Sequence, residues 1–368
     1  MKKIIISVSN DIVTDQRVIR VAGTLIRNGY EVLIVGRVLP GTIEMGTFPY
    51  VIHRFSMCFK KGPLFYFFLN LRLFFFLLFR KVDILLANDL DTLSANFLVA
   101  KLKRIPLVYD SHEYFTEVPE LVDRKIIKHI WLFIESSIVP KLKYIYTVNQ
   151  SIADIYIKKY HVDVKVIRNL PECNNEEFPK VDIPGILTRK IILYQGALNM
   201  ARGIDLAIRA MTHLKYAILV IAGDGPERKT LEELTEFLDL NGNVIFLGRK
   251  LPAELVGITA QADLGISFEQ KVGLNYYYAL PNKIFDYIHA EIPVLVSPFP
   301  EMEKLVNYYG VGEVVNSYDP KSIATQMNSM IQDQEKRKLW KEKLIKAANE
   351  LCWNKEEKSL IELFDNIK

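Results

Sequence analysis

Residues 279–291, ALPNKIFDYIHAE, read as a short loop running into an amphipathic helix that begins near Pro281. Proline in the first helical position loses no hydrogen bond, because an N–H there has no helical acceptor. Ile284, Phe285 and Ile288 recur at helical spacing and form the buried stripe. Asn282 opens the helix, and Lys283 follows in the first turn, at the positive end of the helix dipole. A cation is mildly unfavourable there, so its placement makes most sense with an anion at that helix end. One turn on, Asp286 offers a carboxylate to sugar hydroxyls. The plain alternative is a solvated lysine and aspartate on an ordinary helix.

A second stretch repeats the arrangement. Strand-like Ile191–Tyr194 runs through Gln195, Gly196 and Ala197 to Arg202-Gly203 and a helix starting near Ile204. Arg202 and Lys283, if their helix ends converge, hold a nucleotide diphosphate better than either alone. Two further turns belong to the same half. Gly223-Asp224-Gly225-Pro226 is a glycine-permitted strand-to-helix turn, and Arg249-Lys250 follows a strand where backbone groups can meet a base.

Outward from there, the pattern is strand and helix in alternation. From 191 onward, strands are expected at Ile191–Tyr194, Ala217–Ala222, Val244–Leu247, Asp263–Phe268 and Pro293–Ser297, with helices between them. Before 170, Lys3–Val8, Glu31–Gly36, Val51–Phe55, Asp83–Ala87, Leu107–Tyr109, Tyr144–Val148 and Val164–Ile167 read the same way. Such alternation means parallel sheets covered by helices on both faces. The Asn-, Glu- and Pro-rich run from Cys173 to Arg189 marks a boundary. It gives a first domain of residues 1–172 and a second of 173–352. The opening loop NDIVTDQRV lacks the glycines of a dinucleotide fingerprint, so a GxGxxG cofactor site is not expected. Asp15 and Arg17 there are either cap and surface residues or face a cleft. Polar residues follow two strands, Asn88-Asp89 in one case and Asp110-Ser111-His112-Glu113 in the other, at the sheet edge where open α/β folds bind ligands. His112 is thus a candidate to donate to or orient a sugar hydroxyl.

At 368 residues with half of them hydrophobic, the chain can bury two cores. Cys58, Cys173 and Cys352 are odd in number and widely spaced, so reduced thiols are expected. Lys2-Lys3 leads straight into a strand-sized apolar run, so no secretory leader and a cytoplasmic location are expected. The net charge of +4 makes no case for nucleic acid, but residues 1–175 carry 24 Lys+Arg against 16 Asp+Glu. That basic half contains PLFYFFLNLRLFFFLLF, bracketed by Lys60-Lys61 and Arg80-Lys81. Residues 64–79 are short for a span of about 20 residues. They fit a core helix, a helix lying in the membrane interface, or both at once, which would make the protein peripheral at the cytoplasmic membrane.

VIAGDGPE, NVIFLGRK, ADLGIS and above all LPNKIFDYIHAEIPVLVS in the second half resemble glycosyltransferase family 4, also called glycosyl transferases group 1. The first half carries the resemblance in NDIVTDQRV, ANDLDTL and VYDSHEYFTE. It implies an α/β GT-B fold: two Rossmann-like doubly wound parallel-sheet domains facing a central cleft, with helix 353–368 packing back on the first. The first domain would bind a glycan or lipid-linked acceptor, and the second a nucleotide-sugar donor. The donor is a substrate, and no other cofactor or metal is implied. Arg202 and Lys283 would take the diphosphate, Asp286 the ribose and the Arg249-Lys250 backbone the base. Asn282, Gly196, Gly223 and Asp224 would line the donor site, and His112 would serve the transferred sugar. Closure on the donor would exclude water. The expected activity is a retaining hexosyl transfer in building a bacterial surface polysaccharide. Four departures stand out. Ala197 replaces the usual arginine, Tyr278 falls on the first of two family glutamates eight positions apart, Asp286 replaces the second, and Thr14-Asp15 replace the N-terminal glycines. Glu269 is the candidate substitute for the first glutamate as donor-sugar contact. A sugar-nucleotide epimerase and a weakly catalytic scaffold of the same fold are the alternatives.

Overall fold

The computed structural model describes residues 1–10, 12, 15–39, 48–173, 181, 183 and 189–367. Thr14 and residues 174–180, 182 and 184–188 of the boundary run lie outside this set. The chain forms two compact units. One comprises Met1–Asn169 with Gly273–Asn275 and Glu356–Lys368; the other comprises Leu170–Val272 with Tyr276–Lys355.

The first unit holds a seven-stranded sheet of β1 (Lys3–Ser7), β2 (Glu31–Arg37), β3 (Val51–Phe55), β4 (Ile84–Asn88), β5 (Leu107–Ser111), β6 (Tyr144–Thr147) and β7 (Lys165–Val166). All pairings are parallel, in the order β3-β2-β1-β4-β5-β6-β7. Strand order reverses between β1 and β4, which puts a ligand crevice at their C-terminal ends. The central strands are unbroken apolar runs because both faces are covered: β4 and β5 are buried along their whole length. Helix Gln16–Arg27 begins where the Asp15 carboxylate accepts from Val18 N at 3.1 Å, so Asp15 is the cap.

Helices Gly62–Leu78, Leu90–Lys103 and Lys125–Ile138 connect strands that advance in one direction across the sheet, so right-handed crossovers put them on one face. In Gly62–Leu78, Phe65, Leu69, Leu73 and Leu77 are buried at four-residue spacing and form the packed side. Phe67, Leu71 and Phe75 are exposed. The Lys125–Ile138 helix packs Trp131 against Tyr66 and Phe115, and exposes Ile126, Ile130 and Phe133 on its outer side. Among the described residues no helix is long and apolar enough to cross a membrane.

The second unit holds β8 (Lys190–Gln195), β9 (Ala217–Ala222), β10 (Val244–Gly248), β11 (Leu264–Ser267), β12 (Val294–Val296) and β13 (Gly312–Val314). These are again parallel, in the order β10-β9-β8-β11-β12-β13, with the reversal between β8 and β11. The three-residue β13 was not foreseen, because GEV is too short to show a period. The quoted stretch forms helix Asn282–His289, with Pro281 as its N-cap rather than its first residue. Tyr287 locks this helix to the sheet. Its hydroxyl lies 3.1 Å from both Leu193 O and Gln195 N, and its ring covers Gly265, where a Cβ would come within 2.4 Å.

The expectation of three reduced thiols is corrected. Cys173 and Cys352 form a disulfide with Cα atoms 5.2 Å apart, and Cys58 is a free, exposed thiol. The pair is 179 positions apart, but the two ends of the second unit meet. Trp353 N donates to Pro171 O at 2.7 Å, and Cys173 N to Asn354 Oδ1 at 3.1 Å.

Candidate active site

In the second unit the turns after β8, β9 and β11 come together at the strand reversal. Gly196 sits at φ +127, a conformation that favours glycine. Gly223 crosses directly over it, since a Cβ on Gly223 would stand 1.8 Å from Gly196 O. Asp224 turns back to accept from Gly225 N at 2.8 Å. Beside this floor, Lys283 Nζ and Arg202 Nη1 reach one carboxylate oxygen of Glu269, at 3.0 and 3.4 Å; Ser267 Oγ donates to the other at 2.7 Å. Each cation also covers an aromatic face: Lys283 that of Tyr194 at 4.1 Å, Arg202 that of Tyr276 at 4.5 Å.

The anion that Lys283 calls for at its helix end is therefore present in the chain itself. Glu269 is fully buried, and both its oxygens are engaged. It stands as the counter-ion of the two cations, where the sequence suggested a donor-sugar contact. Burial raises the Glu269 pKa, but Lys283 and Arg202 outweigh burial and hold the carboxyl below its ordinary value. Burial lowers the Lys283 ammonium, Glu269 offsets part of that, and Arg202 lowers it again, leaving it at about 8. Two cations share one carboxylate, and the buried Arg202 Nε has no acceptor among the described residues. The cluster thus keeps a positive surplus while Lys283 is protonated.

Asp286 lies one turn beyond Lys283. Its Oδ2 accepts from Gln195 Nε2 at 2.7 Å, and Gln195 Oε1 faces Thr259 Oγ1 at 2.6 Å. Asn282 is exposed at the helix start. Arg249 and Lys250 follow β10, on the far side of β9 from β8, with Lys250 4.0 Å from Glu254.

In the first unit, the edge of β4 and β5 carries a second charge cluster. Arg17 grips Asp110 through Nε to Oδ2 at 2.9 Å and Nη2 to Oδ1 at 2.7 Å, and both side chains are buried. Arg17 thus faces neither solvent nor a helix cap; it is the buried partner of β5. Asp110 Oδ2 also lies 2.9 Å from His112 Nε2, which has Asn88 Oδ1 at 3.1 Å. His112 Nδ1 stands 3.5 Å from Asp89 Oδ2. Asp89 sits at φ 56 and ψ 169, a region open almost only to glycine, so its backbone is strained at the edge of this cluster. Burial opposes charge on His112, but Asp110 and Asp89 outweigh it and raise the imidazole to about 10. At neutral pH it is an imidazolium, which can only donate.

The sequence reading named both cations and Asp286 as site residues but not Gln195, Thr259, Tyr194 and Tyr276, which the structure sets against them. Gln195 alone carried a signal, as a polar residue ending an apolar strand at the ligand edge.

Residues 15–170 match Glycosyltransferase Family 4, and residues 176–347 match Glycosyl transferases group 1. The chain belongs to glycosyltransferase family 4. Among curated relatives, it is 27% identical to the D-inositol 3-phosphate glycosyltransferase of Corynebacterium urealyticum. That match covers 49% of this chain and 44% of the relative, so the chain aligns with less than half of that protein's length. Two solved structures share its fold. HepE of Anabaena, in complex with UDP and glucose, superposes with a TM-score of 0.76 at 16% identity over 100% of both chains. WaaG, a glycosyltransferase involved in lipopolysaccharide biosynthesis, gives 0.70 at 14% identity over 99% of each. At such identities the likeness is one of GT-B fold.

Proposed function

We propose that this family 4 glycosyltransferase is a retaining, metal-independent hexosyltransferase. It moves a sugar from a nucleotide-diphosphate sugar to a glycan or lipid-linked acceptor in bacterial surface polysaccharide synthesis. The observation that carries the reading is the convergence of Arg202 and Lys283 on one buried carboxylate beside the Gly196–Gly223 floor. A surplus of fixed cations in a desolvated pocket stabilises the charge that develops on a leaving diphosphate. The Lys283 side chain also runs beside Gly196, next to Ala197, where the family's usual arginine is absent. Asp286 takes the ribose, and the turn after β10 takes the base. In the first unit His112 serves the transferred sugar as a fixed cationic donor. HepE, solved with UDP and glucose, supports a nucleotide-sugar donor, and WaaG supports the surface-glycan context.

The test is a thermal-shift screen against UDP, GDP, ADP and CMP with their common sugar conjugates. A true donor at about 100 times its dissociation constant adds about 2.7 kcal/mol of stability. One nucleotide should shift the melting temperature selectively; no shift with any of them would sink the reading. Its pH dependence has a set direction. Lys283 loses its proton as pH rises through about 8, so diphosphate affinity should hold below that value and fall above it. Isothermal titration at pH 7 and pH 9 reads the difference.

The reading includes peripheral attachment to the cytoplasmic membrane surface, supported by two apolar strips on helices of the same sheet face. Phe67, Leu71 and Phe75 form one, Ile126, Ile130 and Phe133 the other, with Lys60, Lys61, Arg80 and Lys81 exposed at the ends of the first. Replacing Phe67, Phe75, Ile130 and Phe133 by serine should release the protein from anionic liposomes while its melting temperature stays within a few degrees. Unfolding before release would assign those side chains to the core and remove the membrane claim.

A further inference from the structure

We infer that Gln195 and Thr259 are positioning residues that aim the Asp286 carboxylate at the ribose of the donor nucleotide. The inference rests on the assignment of Asp286 to the ribose. Gln195 ends β8, and Thr259 ends helix Pro252–Thr259; each is 2% exposed. Their side chains link two elements to a third through hydrogen bonds of 2.6 and 2.7 Å.

Chemistry fixes the direction of this relay. A carboxylate only accepts, so the Gln195 amide must present its NH2 group to Asp286 Oδ2. The amide oxygen then faces Thr259, which can donate to it. The Thr259 hydroxyl is also 2.7 Å from Leu255 O in its own helix, so one proton is shared between two acceptors. Rotating the amide by half a turn would put its oxygen against Asp286, a repulsive contact. Asp286 thus selects the amide orientation, Thr259 anchors the amide by donating to its oxygen, and the anchored amide in turn restrains the carboxylate. The main chain reinforces this, because Gln195 N lies 3.1 Å from the hydroxyl of Tyr287, the residue after Asp286.

A ribose offers two vicinal hydroxyls, and a carboxylate receives both only when its plane is held. A neutral amide does this without cancelling the charge, whereas a lysine at position 195 would consume it. A flexible carboxylate would have to be ordered at each binding event, at a cost in affinity. Holding such groups through buried polar partners is the general route to a precise site.

The test uses the full chain and the ribonucleoside diphosphates of uridine, guanosine and adenosine, with their 2′,3′-dideoxy counterparts and inorganic diphosphate. Q195L should weaken the ribonucleoside diphosphate roughly tenfold, the scale of one hydrogen bond to a charged group. It should leave the dideoxy form and inorganic diphosphate unchanged. T259V should act in the same sense, and T259S, which keeps the hydroxyl, should restore discrimination. The double variant Q195L/D286A should be no weaker than D286A alone, since the two act as one unit. Equal weakening of ribo, dideoxy and inorganic ligands by Q195L would mean a structural role only and overturn the inference. If D286A itself leaves the ribo-to-dideoxy ratio intact, the ribose assignment fails and the relay fails with it. An altered ratio in D286A with a normal one in Q195L overturns the relay alone.

Discussion

Lys283→Ala and Arg202→Ala are each expected to weaken binding of the donor nucleotide by roughly ten- to a hundredfold, the cost of one charge-assisted contact at 1.5–3 kcal/mol. The fold should survive either change. Without Lys283, the buried Glu269 carboxylate retains Arg202 at 3.4 Å and Ser267 at 2.7 Å; without Arg202 it retains Lys283 at 3.0 Å. What disappears is the surplus. One remaining cation is matched by Glu269, and an incoming diphosphate meets a neutral pocket instead of a positive one. Titration calorimetry on both variants, alongside their melting curves, separates affinity from stability. Two folded variants with parental affinity would remove the diphosphate clamp, and with it the main support for the donor reading.

The second large effect concerns stability in the first unit. Asp110→Asn keeps the shape of the side chain but strips the charge that Arg17 grips, leaving a guanidinium buried with Ile167 O at 2.8 Å and the Tyr146 ring at 5.3 Å. Breaking a buried pair from one side costs about 3–5 kcal/mol, because a charge stays behind without its partner. In a domain of this size the melting temperature should fall by roughly 6–20 °C. The same change removes the chief support of the His112 charge, so its imidazole should titrate at lower pH, visible by NMR. The pH signs follow from the two shifts. The depressed Asp110 pKa contributes stability that is present above its unfolded value of 3.8 and is lost as pH falls below it. The raised His112 pKa contributes stability that is complete below 6.5 and is lost as pH rises through about 10. The joint contribution of Asp110 and His112 is therefore greatest between about pH 4 and 6.5, while the buried Asp89, raised to about 8, opposes it as pH climbs through that range, and Asp110→Asn should flatten both limbs of the joint contribution. An unchanged melting temperature would show that Arg17 finds other partners.

The sequence by itself determined the architecture. Apolar runs separated by amphipathic helices are local patterns, and they are enough to specify two parallel sheets and the turns at their C-terminal edges. They also placed Lys283 and Arg202 at helix ends that suit an anion, because the helix dipole is a property of contiguous residues, here eight in each helix. Tertiary structure decided which charges meet. Glu269 became the counter-ion of Lys283 and Arg202, 14 and 67 positions away. Arg17 found Asp110 across 93 positions, Gln195 reached Asp286 across 91, and Cys173 met Cys352 across 179. No periodicity encodes such pairs, since each depends on how strands are ordered in the sheet and on which side chains lose water together. Burial moves Lys283 down to about 8, and the neighbouring Asp110 and Asp89 make His112 a fixed cation against the pull of burial, two properties absent from the residues until the fold brings them together.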